Sequence, residues 1–244
     1  MSPEADFTEG GYVALLELAA RRYRFVRYTD NLDGHGLALW RHDVDFSPQR
    51  ALALARIEAE RKLRATYFVQ LTSRFYSALE PEVAAIVRAI SALGHDIGLH
   101  FDPELHAGAD LGRRLTWEAG LLKEIAGCEV RVFSLHNPTT ISPNPFVEPR
   151  FAGLVNATAP VLGETFTYCS DSNGVWRHCP LAEVLADPVS RNVHVLTHPE
   201  WWPPEQLAPR ARIRRCIDGR AAAASRYYDG LLARHGRPNA WDGA

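Results

Sequence analysis

The chain has 244 residues, of which 46% are hydrophobic, and its formal net charge is −2. This length and hydrophobic content fit one well-buried core, and the near-neutral charge gives no general attraction to nucleic acid or to an acidic membrane. The four cysteines lack zinc-ligand spacing and are too few for a disulfide framework, so we predict reduced thiols. No apolar run reaches the ~18 residues of a membrane span, and we predict a cytoplasmic protein.

Helices and short strands alternate along the chain. Apolar residues recur at helical spacing over 12–19, which predicts an N-terminal helix before the first strand. The apolar stretch 37–40 is typical of a buried strand, and it runs directly into charged residues. Ser47 and Pro48 then match the N-cap and first position of a helix that we expect to reach about Lys62. These elements form a complete β/α unit.

The same unit repeats, with one ambiguous stretch. We predict strands over 65–71, 97–102, 130–135, 165–168 and 193–196, and helices over 83–93, 111–125 and 211–234. Over 143–160 proline and glycine interrupt the pattern, and we predict no topology there. The alternation favours a parallel barrel over a doubly wound open sheet, since the sequence has no glycine-rich phosphate-binding motif. We expect one domain over 1–244, with an N-terminal helical extension over 1–36, a barrel over 37–202 and a C-terminal helix over 203–244.

Polar residues gather where successive strands end, at the edge where α/β sheets carry their chemistry. Asp43 and Asp45 project to the same side of their strand, and two close carboxylates repel unless a cation or a shared proton lies between them. Carboxylate and imidazole ligands suit Zn²⁺ or another first-row divalent ion. A remaining carboxylate and a remaining histidine would supply base and acid, which together equip an amide hydrolase. The strand-end groups are Asp43, Asp45, His100, His136, Asp171 and His198, with Glu104 and His106 just beyond one of them.

Four of these strand ends carry motifs that resemble those of the polysaccharide deacetylase family of carbohydrate esterases. In chain order they read Arg-His-Asp-Val-Asp at 41–45, Gly-His-Asp-Ile-Gly-Leu-His at 94–100, Ser-Leu-His-Asn-Pro at 134–138 and Leu-Thr-His-Pro at 196–199. The resemblance spans about 37–202. It implies a distorted (β/α)7 barrel and metal-dependent removal of an acyl group, usually acetyl, from an amino sugar. The expected metal is Zn²⁺, with Mn²⁺, Co²⁺ or Ni²⁺ as alternatives.

The resemblance also implies roles for individual residues. Asp43 matches the catalytic base of the family, and His198 matches its general acid, which Asp171 would orient. The metal-binding aspartate that directly follows the base in the family is Val44 here, and we predict that Asp45 replaces it. The resulting Arg-His-Asp-x-Asp pattern indicates a variant branch, for which capsule, lipopolysaccharide or small natural-product substrates are plausible.

The third metal ligand is open between three residues. His100 matches the first metal histidine of the family, but Glu104 stands where the second is expected. Glu104 can bind a metal through oxygen, His106 can reach in from the loop, or His136 can replace the histidine from the next strand end. We prefer His136, because a strand end followed by Pro138 is better fixed than the loop.

Other residues near the strand ends are assigned to substrate or to structure. We predict that Arg41, Asn137 and Trp201 contact the substrate, and Arg41 is also placed to neutralise Asp43 or to tune its proton affinity. The aromatic residues beside the site, for each of which packing is the simpler role, are Phe46, Phe101, Trp176, Trp201 and Trp202. The histidines assigned to hydrogen-bonded core positions are His42, His95 and His194.

The leading hypothesis is a metal-dependent hydrolase that removes an N-acyl group from an amino sugar or a sugar-like small molecule. Two alternatives use the same fold. One is a metal-independent hydrolase of a cyclic amide or ureide, which the departures at Val44 and Glu104 favour. The other is a non-catalytic carbohydrate-binding protein that kept the groove and its aromatic rim. We expect a saccharide or small-molecule partner, and neither nucleic acid nor membrane.

Overall fold

The structure, a computed structural model, describes residues 7–138, 142, 144–177, 179–187 and 192–238. Within them the helices are α1 (Glu9–Ala20), α2 (Pro48–Glu60), α3 (Pro81–Ala92), α4 (Leu111–Ala126), α5 (Leu162–Thr165), α6 (Leu181–Ala186) and α7 (Pro209–His235). The strands are β1 (Arg24–Val26), β2 (Leu37–Val44), β3 (Thr66–Val69), β4 (Asp96–Phe101), β5 (Val132–Leu135), β6 (Arg150–Phe151), β7 (Leu154–Asn156), β8 (Thr167–Ser170) and β9 (Val193–Thr197). Short 3₁₀ helices lie at Pro103–His106, Ser172–Gly174 and Pro199–Trp201.

The strands form one sheet in the order β6-β7-β5-β4-β3-β2-β9-β8, with β1 paired to the first residues of β2. β6 and β7 are antiparallel, and the ladders between the other neighbouring strands are parallel. Helices α2, α3 and α4 connect β2 to β3, β3 to β4 and β4 to β5, as in repeated β/α units. This arrangement confirms the predicted α/β class with a barrel-like parallel sheet. β6 and β8 stand at the two ends of the strand order.

The observed elements differ from the sequence prediction mainly where they are short. β1 lies in the N-terminal extension, for which the sequence predicts only a helix. The ambiguous stretch 143–160 contains the β6–β7 hairpin, and residue 143 lies outside the described residues. The strand predicted over 165–168 is displaced to Thr167–Ser170, because the residues before it form the single turn α5. Such short elements hold too few residues to show a periodic pattern.

β2 is a central strand, and all of its residues are buried. Leu37 and Leu39 belong to a cluster built from strand and loop residues inside the sheet. Ala38 and Trp40 belong to the larger cluster between the sheet and the helices. Odd-numbered residues of β2 therefore face the inside of the sheet, and even-numbered residues face the helices. A strand covered on both faces needs apolar residues at successive positions, which explains the continuous apolar run in the sequence.

A buried hydrogen-bond network behind β2 ties helices to strand ends. Glu58 of α2 accepts hydrogen bonds from the hydroxyls of Tyr12 and Tyr67 and lies 2.7 Å from His42 Nε2. The other ring nitrogen of His42 lies 2.7 Å from Thr197 Oγ1 on β9. Burial raises the pKa of the Glu58 carboxyl, but its contacts with His42 outweigh burial and lower the pKa. Because His42 and Thr197 each directly precede a candidate site residue, the network helps to fix the site.

The histidines assigned to structure lie in the core. His95 Nε2 lies 2.9 Å from the backbone carbonyl oxygen of Ala55. His194 Nε2 lies 2.6 Å from the hydroxyl oxygen of Tyr28. Both rings are buried, as is His42. These histidines are therefore hydrogen-bonded core residues, as the sequence predicts.

Helix α7 lies on the outside of the fold, at the position predicted for the C-terminal helix. Most of its residues are exposed, but Arg212 is buried with its guanidinium 5.1 Å from the ring centre of Phe7. Arg220 donates two hydrogen bonds to Glu80, just before α3. In the described part of the chain, no helix combines the length and the hydropathy that a membrane crossing requires.

Replacing Glu58 by alanine should lower the free energy of unfolding by about 3–5 kcal/mol, because two tyrosine hydroxyls and His42 lose a buried partner. Guanidinium denaturation followed by tryptophan fluorescence measures this change. Glu60→Ala is a matched control on the same helix, because the Glu60 side chain is 74% exposed. The Glu60→Ala change should alter the free energy of unfolding by less than about 0.5 kcal/mol. Equal midpoints for the two variants would contradict the role given to the network.

Candidate functional site

The candidate site lies where β2, β4, β5 and β9 end. Asp45 follows β2, His100 is close to the end of β4, His136 follows β5 and His198 follows β9. β2 pairs in parallel with β3 and β9, and β4 pairs in parallel with β3 and β5, so these ends lie at one edge of the sheet. The structure thus brings together residues that the sequence places at successive strand ends.

Asp45, His100 and His136 form a cluster of metal-type ligands, called here the donor cluster. Asp45 Oδ1 lies 3.1 Å from His100 Nε2 and 3.6 Å from His136 Nδ1, and the two nitrogens lie 3.4 Å apart. One ligand atom from each residue lies within 4.8 Å of the others. Burial raises the pKa of Asp45, but hydrogen bonds from the two histidines outweigh burial and hold it well below its usual range. The donor cluster therefore combines one carboxylate with two imidazoles.

A chain of hydrogen bonds holds His100 and leads to Asp43. His100 Nδ1 lies 2.7 Å from Oγ of Ser134, a fully buried residue on β5. The Ser134 hydroxyl donates in turn to Asp43 Oδ1 at 3.4 Å. Because Nδ1 is committed to Ser134, His100 presents Nε2 to Asp45, which is the orientation that a ligand histidine needs.

The backbone conformation after β5 turns His136 toward the donor cluster. The chain leaves β5 through Asn137, whose φ of 47° lies in the left-handed region that asparagine tolerates better than most residues. The Asn137 side-chain amide lies 3.0 Å from His136 Nε2, and the His136 backbone N–H donates to Phe101 O at 2.8 Å. His136 Nδ1 therefore faces Asp45. The structure shows Asn137 in contact with His136, and its contact with substrate stays a prediction.

Asp43 lies beside the donor cluster with a counter-ion of its own. Asp43 Oδ2 accepts a hydrogen bond from Arg41 Nη2 at 3.1 Å and lies 3.8 Å from His100 Nε2. Arg41 is 3% exposed, donates to Ala157 O at 3.3 Å and lies over the Phe68 ring. Burial lowers the pKa of Arg41, but the Asp43 charge raises it above its ordinary value, so the guanidinium stays charged. Arg41 is thus the partner of Asp43, and its contact with substrate stays a prediction.

His198 is oriented by Asp171, as the sequence predicts. His198 Nδ1 lies 2.7 Å from Asp171 Oδ1, and the His198 backbone N–H donates to the same oxygen at 3.0 Å. Trp202 Nε1 donates to Asp171 Oδ2 at 2.8 Å. Burial lowers the pKa of His198, but the hydrogen bond and charge of Asp171 raise it to about 10. The imidazole is therefore protonated on both nitrogens and positively charged at neutral pH. Its Nε2 lies 3.8 Å from Asp45 Oδ2. Its catalytic role stays a prediction.

The two other candidates for the third metal ligand lie outside the donor cluster. His106 Nε2 is hydrogen-bonded to Glu118 of α4, and its ring stacks on Phe101 with centroids 5.4 Å apart. Glu104 is exposed on the short 3₁₀ helix that follows β4. Of the three candidates, the structure places His136 in the cluster.

The aromatic residues near the site mostly pack against the protein. Trp201 is 7% exposed, and Phe101 and Trp202 are also buried. Phe46 is half-buried and packs on Phe75, with ring centroids 4.1 Å apart. The structure therefore shows a packing role for Trp201, and its contact with substrate stays a prediction.

Three residues at the site have no role in the sequence prediction. Gln70, directly after β3, brings its side-chain nitrogen within 3.2 Å of His136 Nδ1 and 3.4 Å of Asp45 Oδ1. Ser134 is hydrogen-bonded to His100, the other histidine of the donor cluster. Glu200 is buried on the 3₁₀ helix after β9, and burial raises the pKa of its carboxyl well above the usual range. Gln70 and Ser134 share a signal with the predicted residues, because both lie at strand ends, whereas no sequence signal marks Glu200.

Comparisons with known proteins find matches among solved structures. No protein-family model and no curated protein matches the chain. A family 4 carbohydrate esterase from Streptomyces lividans, solved with acetate, is 18% identical, with a TM-score of 0.43 over 77% of this chain and 89% of that chain. A family 4 carbohydrate esterase from Bacillus anthracis is 15% identical, with a TM-score of 0.43 over 86% of each chain. The chitin deacetylase of the fungal pathogen Colletotrichum lindemuthianum is 13% identical, with a TM-score of 0.43 over 77% of this chain and 84% of that chain.

Proposed function

We propose that the protein is a metal-dependent hydrolase that removes an N-acyl group from an amino sugar or a sugar-like small molecule. The observation that carries this proposal is that Asp43 and His198 each lie 3.8 Å from an atom of the donor cluster. Asp43 is a carboxylate with a separate counter-ion, and His198 is an imidazole with a separate carboxylate partner. The site therefore offers a metal-binding set, a base and an acid on different side chains.

The donor cluster fits a first-row divalent ion. Two ligands bound to Zn²⁺ at about 2.1 Å in a tetrahedral arrangement lie about 3.4 Å apart, and the separations in the cluster are 3.1, 3.4 and 3.6 Å. Zn²⁺, Mn²⁺, Co²⁺ and Ni²⁺ accept imidazole together with carboxylate, whereas Ca²⁺ and Mg²⁺ prefer oxygen ligands. Three protein ligands also leave a position for water or substrate, as in catalytic zinc sites.

Asp43 is placed to act as the base. When bound, the ion would lower the pKa of a water molecule and polarise the acyl carbonyl. Asp43 would hold a proton taken from water beside the donor cluster, since its Oδ2 lies 3.8 Å from His100 Nε2. Arg41 compensates the charge of Asp43 and fixes one oxygen, and Ser134 fixes the other. Asp43 and Asp45 therefore differ in role because different partners hold them.

His198 is placed to protonate the leaving amine. Asp171 occupies Nδ1 and keeps the imidazole protonated at neutral pH, so Nε2–H is the donor that remains for the site. An amide nitrogen is a poor leaving group until it receives a proton, so a cationic acid beside the donor cluster suits the hydrolysis of an N-acyl bond.

An N-acylated amino sugar is the substrate class that fits best. The strand-end motifs resemble those of polysaccharide deacetylases, which implies an acetylated amino sugar. A metal-independent cyclic amide or ureide hydrolase has no need for two imidazoles that converge on Asp45. A saccharide-binding protein without turnover has no need for a separately compensated Asp43 beside them.

The wild-type chain should take up about one equivalent of Zn²⁺, measured by elemental mass spectrometry after loading and gel filtration. Asp45→Ala, His100→Ala and His136→Ala should each lose most of this metal, because each removes one donor. His106→Ala is the matched control and should keep the metal, since His106 is bonded to Glu118 outside the cluster. No uptake by the wild type, or equal loss in His106→Ala and His136→Ala, would contradict the proposed site.

A screen of N-acetyl sugars against cyclic amides and ureides tests the reaction. The loaded protein should release acetate from an N-acetyl sugar, and a chelator should stop the release. On the identified substrate, Asp43→Asn and His198→Ala should each lower kcat/KM by about 10²- to 10⁴-fold. Glu104→Gln, which changes an exposed carboxylate outside the donor cluster, should leave kcat/KM unchanged.

Each competing function gives a different result in this screen. Turnover that survives chelation, or turnover of cyclic amides alone, would support the metal-independent hydrolase. Saccharide binding with no product, by protein that holds its metal, would support the non-catalytic alternative.

A further inference from the structure

The side-chain amide of Gln70 reaches into the donor cluster. We propose that Gln70 is a fourth protein ligand of the metal centre and binds through its amide oxygen, an inference that rests on the metal site proposed above. The sequence resemblance gives no role to this residue, and the carboxylate and imidazole chemistry does not require it. The inference therefore stands on the placement of Gln70 alone.

The fold fixes Gln70 between the other ligands. Gln70 directly follows β3, which lies between β2 and β4 in the sheet, so it enters between the strand ends that carry Asp45 and His100. Its backbone N–H donates to Tyr76 Oη at 3.0 Å, and the Tyr76 hydroxyl donates to Val44 O at 2.6 Å. This bridge ties the end of β3 to the end of β2. Gln70 is 5% exposed, so its side chain has little freedom to turn away into solvent.

The amide group occupies a further corner of the donor cluster. Its nitrogen lies 3.2 Å from His136 Nδ1 and 3.4 Å from Asp45 Oδ1. These separations match the 3.1 to 3.6 Å between the three donor atoms themselves. The amide is therefore at the spacing expected of a ligand around a common centre.

A half-turn of the amide converts it from a donor to a ligand. In the orientation described, Nε2 approaches the lone pairs of Asp45 and His136, and an amide N–H has no lone pair to offer a cation. A cation bound by Asp45 and His136 uses those lone pairs and repels the positive end of the N–H dipole. Rotation about the Cγ–Cδ bond exchanges Nε2 with Oε1 in the same volume and presents an acceptor oxygen at the same point.

A neutral oxygen ligand suits the chemistry of this site. It adds a fourth protein contact to the ion without a second negative charge, and water or substrate would then be a fifth ligand, a number that catalytic zinc sites also reach. The ion then keeps more of its power to polarise a carbonyl than it would beside two carboxylates. This accounts for an amide at position 70 in a site that already has one carboxylate ligand.

Metal affinity and ligand geometry test this role without any measurement of activity. Gln70→Leu, which has no donor atom, should weaken Zn²⁺ binding by about 10- to 100-fold, measured by competition with a chromophoric chelator. Gln70→Glu, which puts an oxygen at the same place, should bind Zn²⁺ at least as tightly as the wild type. Gln49→Leu, a change at an exposed position of α2, should bind like the wild type. The visible absorption of the Co²⁺-loaded protein should change in Gln70→Leu, because a ligand is lost.

The outcomes separate this inference from the proposed function. A folded Gln70→Leu that binds Zn²⁺ as tightly as the wild type would overturn the role of Gln70 and leave the other three ligands in place. If Gln70→Leu does not fold, as judged by circular dichroism, Gln70→Glu decides, and weaker binding than in the wild type overturns the role. A wild type that takes up neither Zn²⁺ nor Co²⁺ would overturn the metal centre itself.

Discussion

The site depends on how the fold compensates two carboxylates that lie side by side at the end of β2. Repulsion between Asp43 and Asp45 is strong in a buried setting, and it would force them to share a proton if no cation were near. The fold gives each carboxylate its own partner. Arg41 bonds to Asp43 at 3.1 Å, whereas the donor-cluster histidines surround Asp45. Separate partners are what the proposed roles require, with Asp43 as the base and Asp45 as a metal ligand.

The imidazoles of the site follow a common rule, in which one ring nitrogen is held by the scaffold and the other faces the site. The scaffold partners are Ser134 for His100, Asn137 for His136 and Asp171 for His198. Such contacts set the orientation of a ligand histidine before any ion binds. His106 shows the opposite case, because its Nε2 is hydrogen-bonded to Glu118, away from the donor cluster. The hydrogen-bond partner of each ring thus decides whether the histidine faces the donor cluster.

Much of this arrangement follows from the sequence, because the carboxyl ends of parallel strands converge whichever helices connect them. The positions of Asp45, His100 and His136 at the ends of predicted strands therefore indicate from the sequence that they lie together. The hydrogen-bond partners of the site residues do not follow from such a local pattern. The position of Glu118 opposite His106 depends on how α4 packs, and the burial of Arg41 depends on the strands around it. The β6–β7 hairpin and β1 escaped prediction because two or three residues carry no periodic signal.

The two-residue period of β2 explains why a second carboxylate reaches the site from position 45 and not from position 44. The residues on the inner face of the strand and its extension are Leu37, Leu39, Arg41, Asp43 and Asp45, and those on the helix face are Ala38, Trp40, His42 and Val44. A carboxylate at position 44 of this strand would lie in the apolar core between sheet and helices, where Val44 packs at 1% exposure. At position 45 it joins the inner row, and both carboxylates come within 3.8 Å of His100 Nε2. One strand thereby places Arg41, Asp43 and Asp45 at alternate positions, where they stand as the counter-ion, the proposed base and the proposed metal ligand.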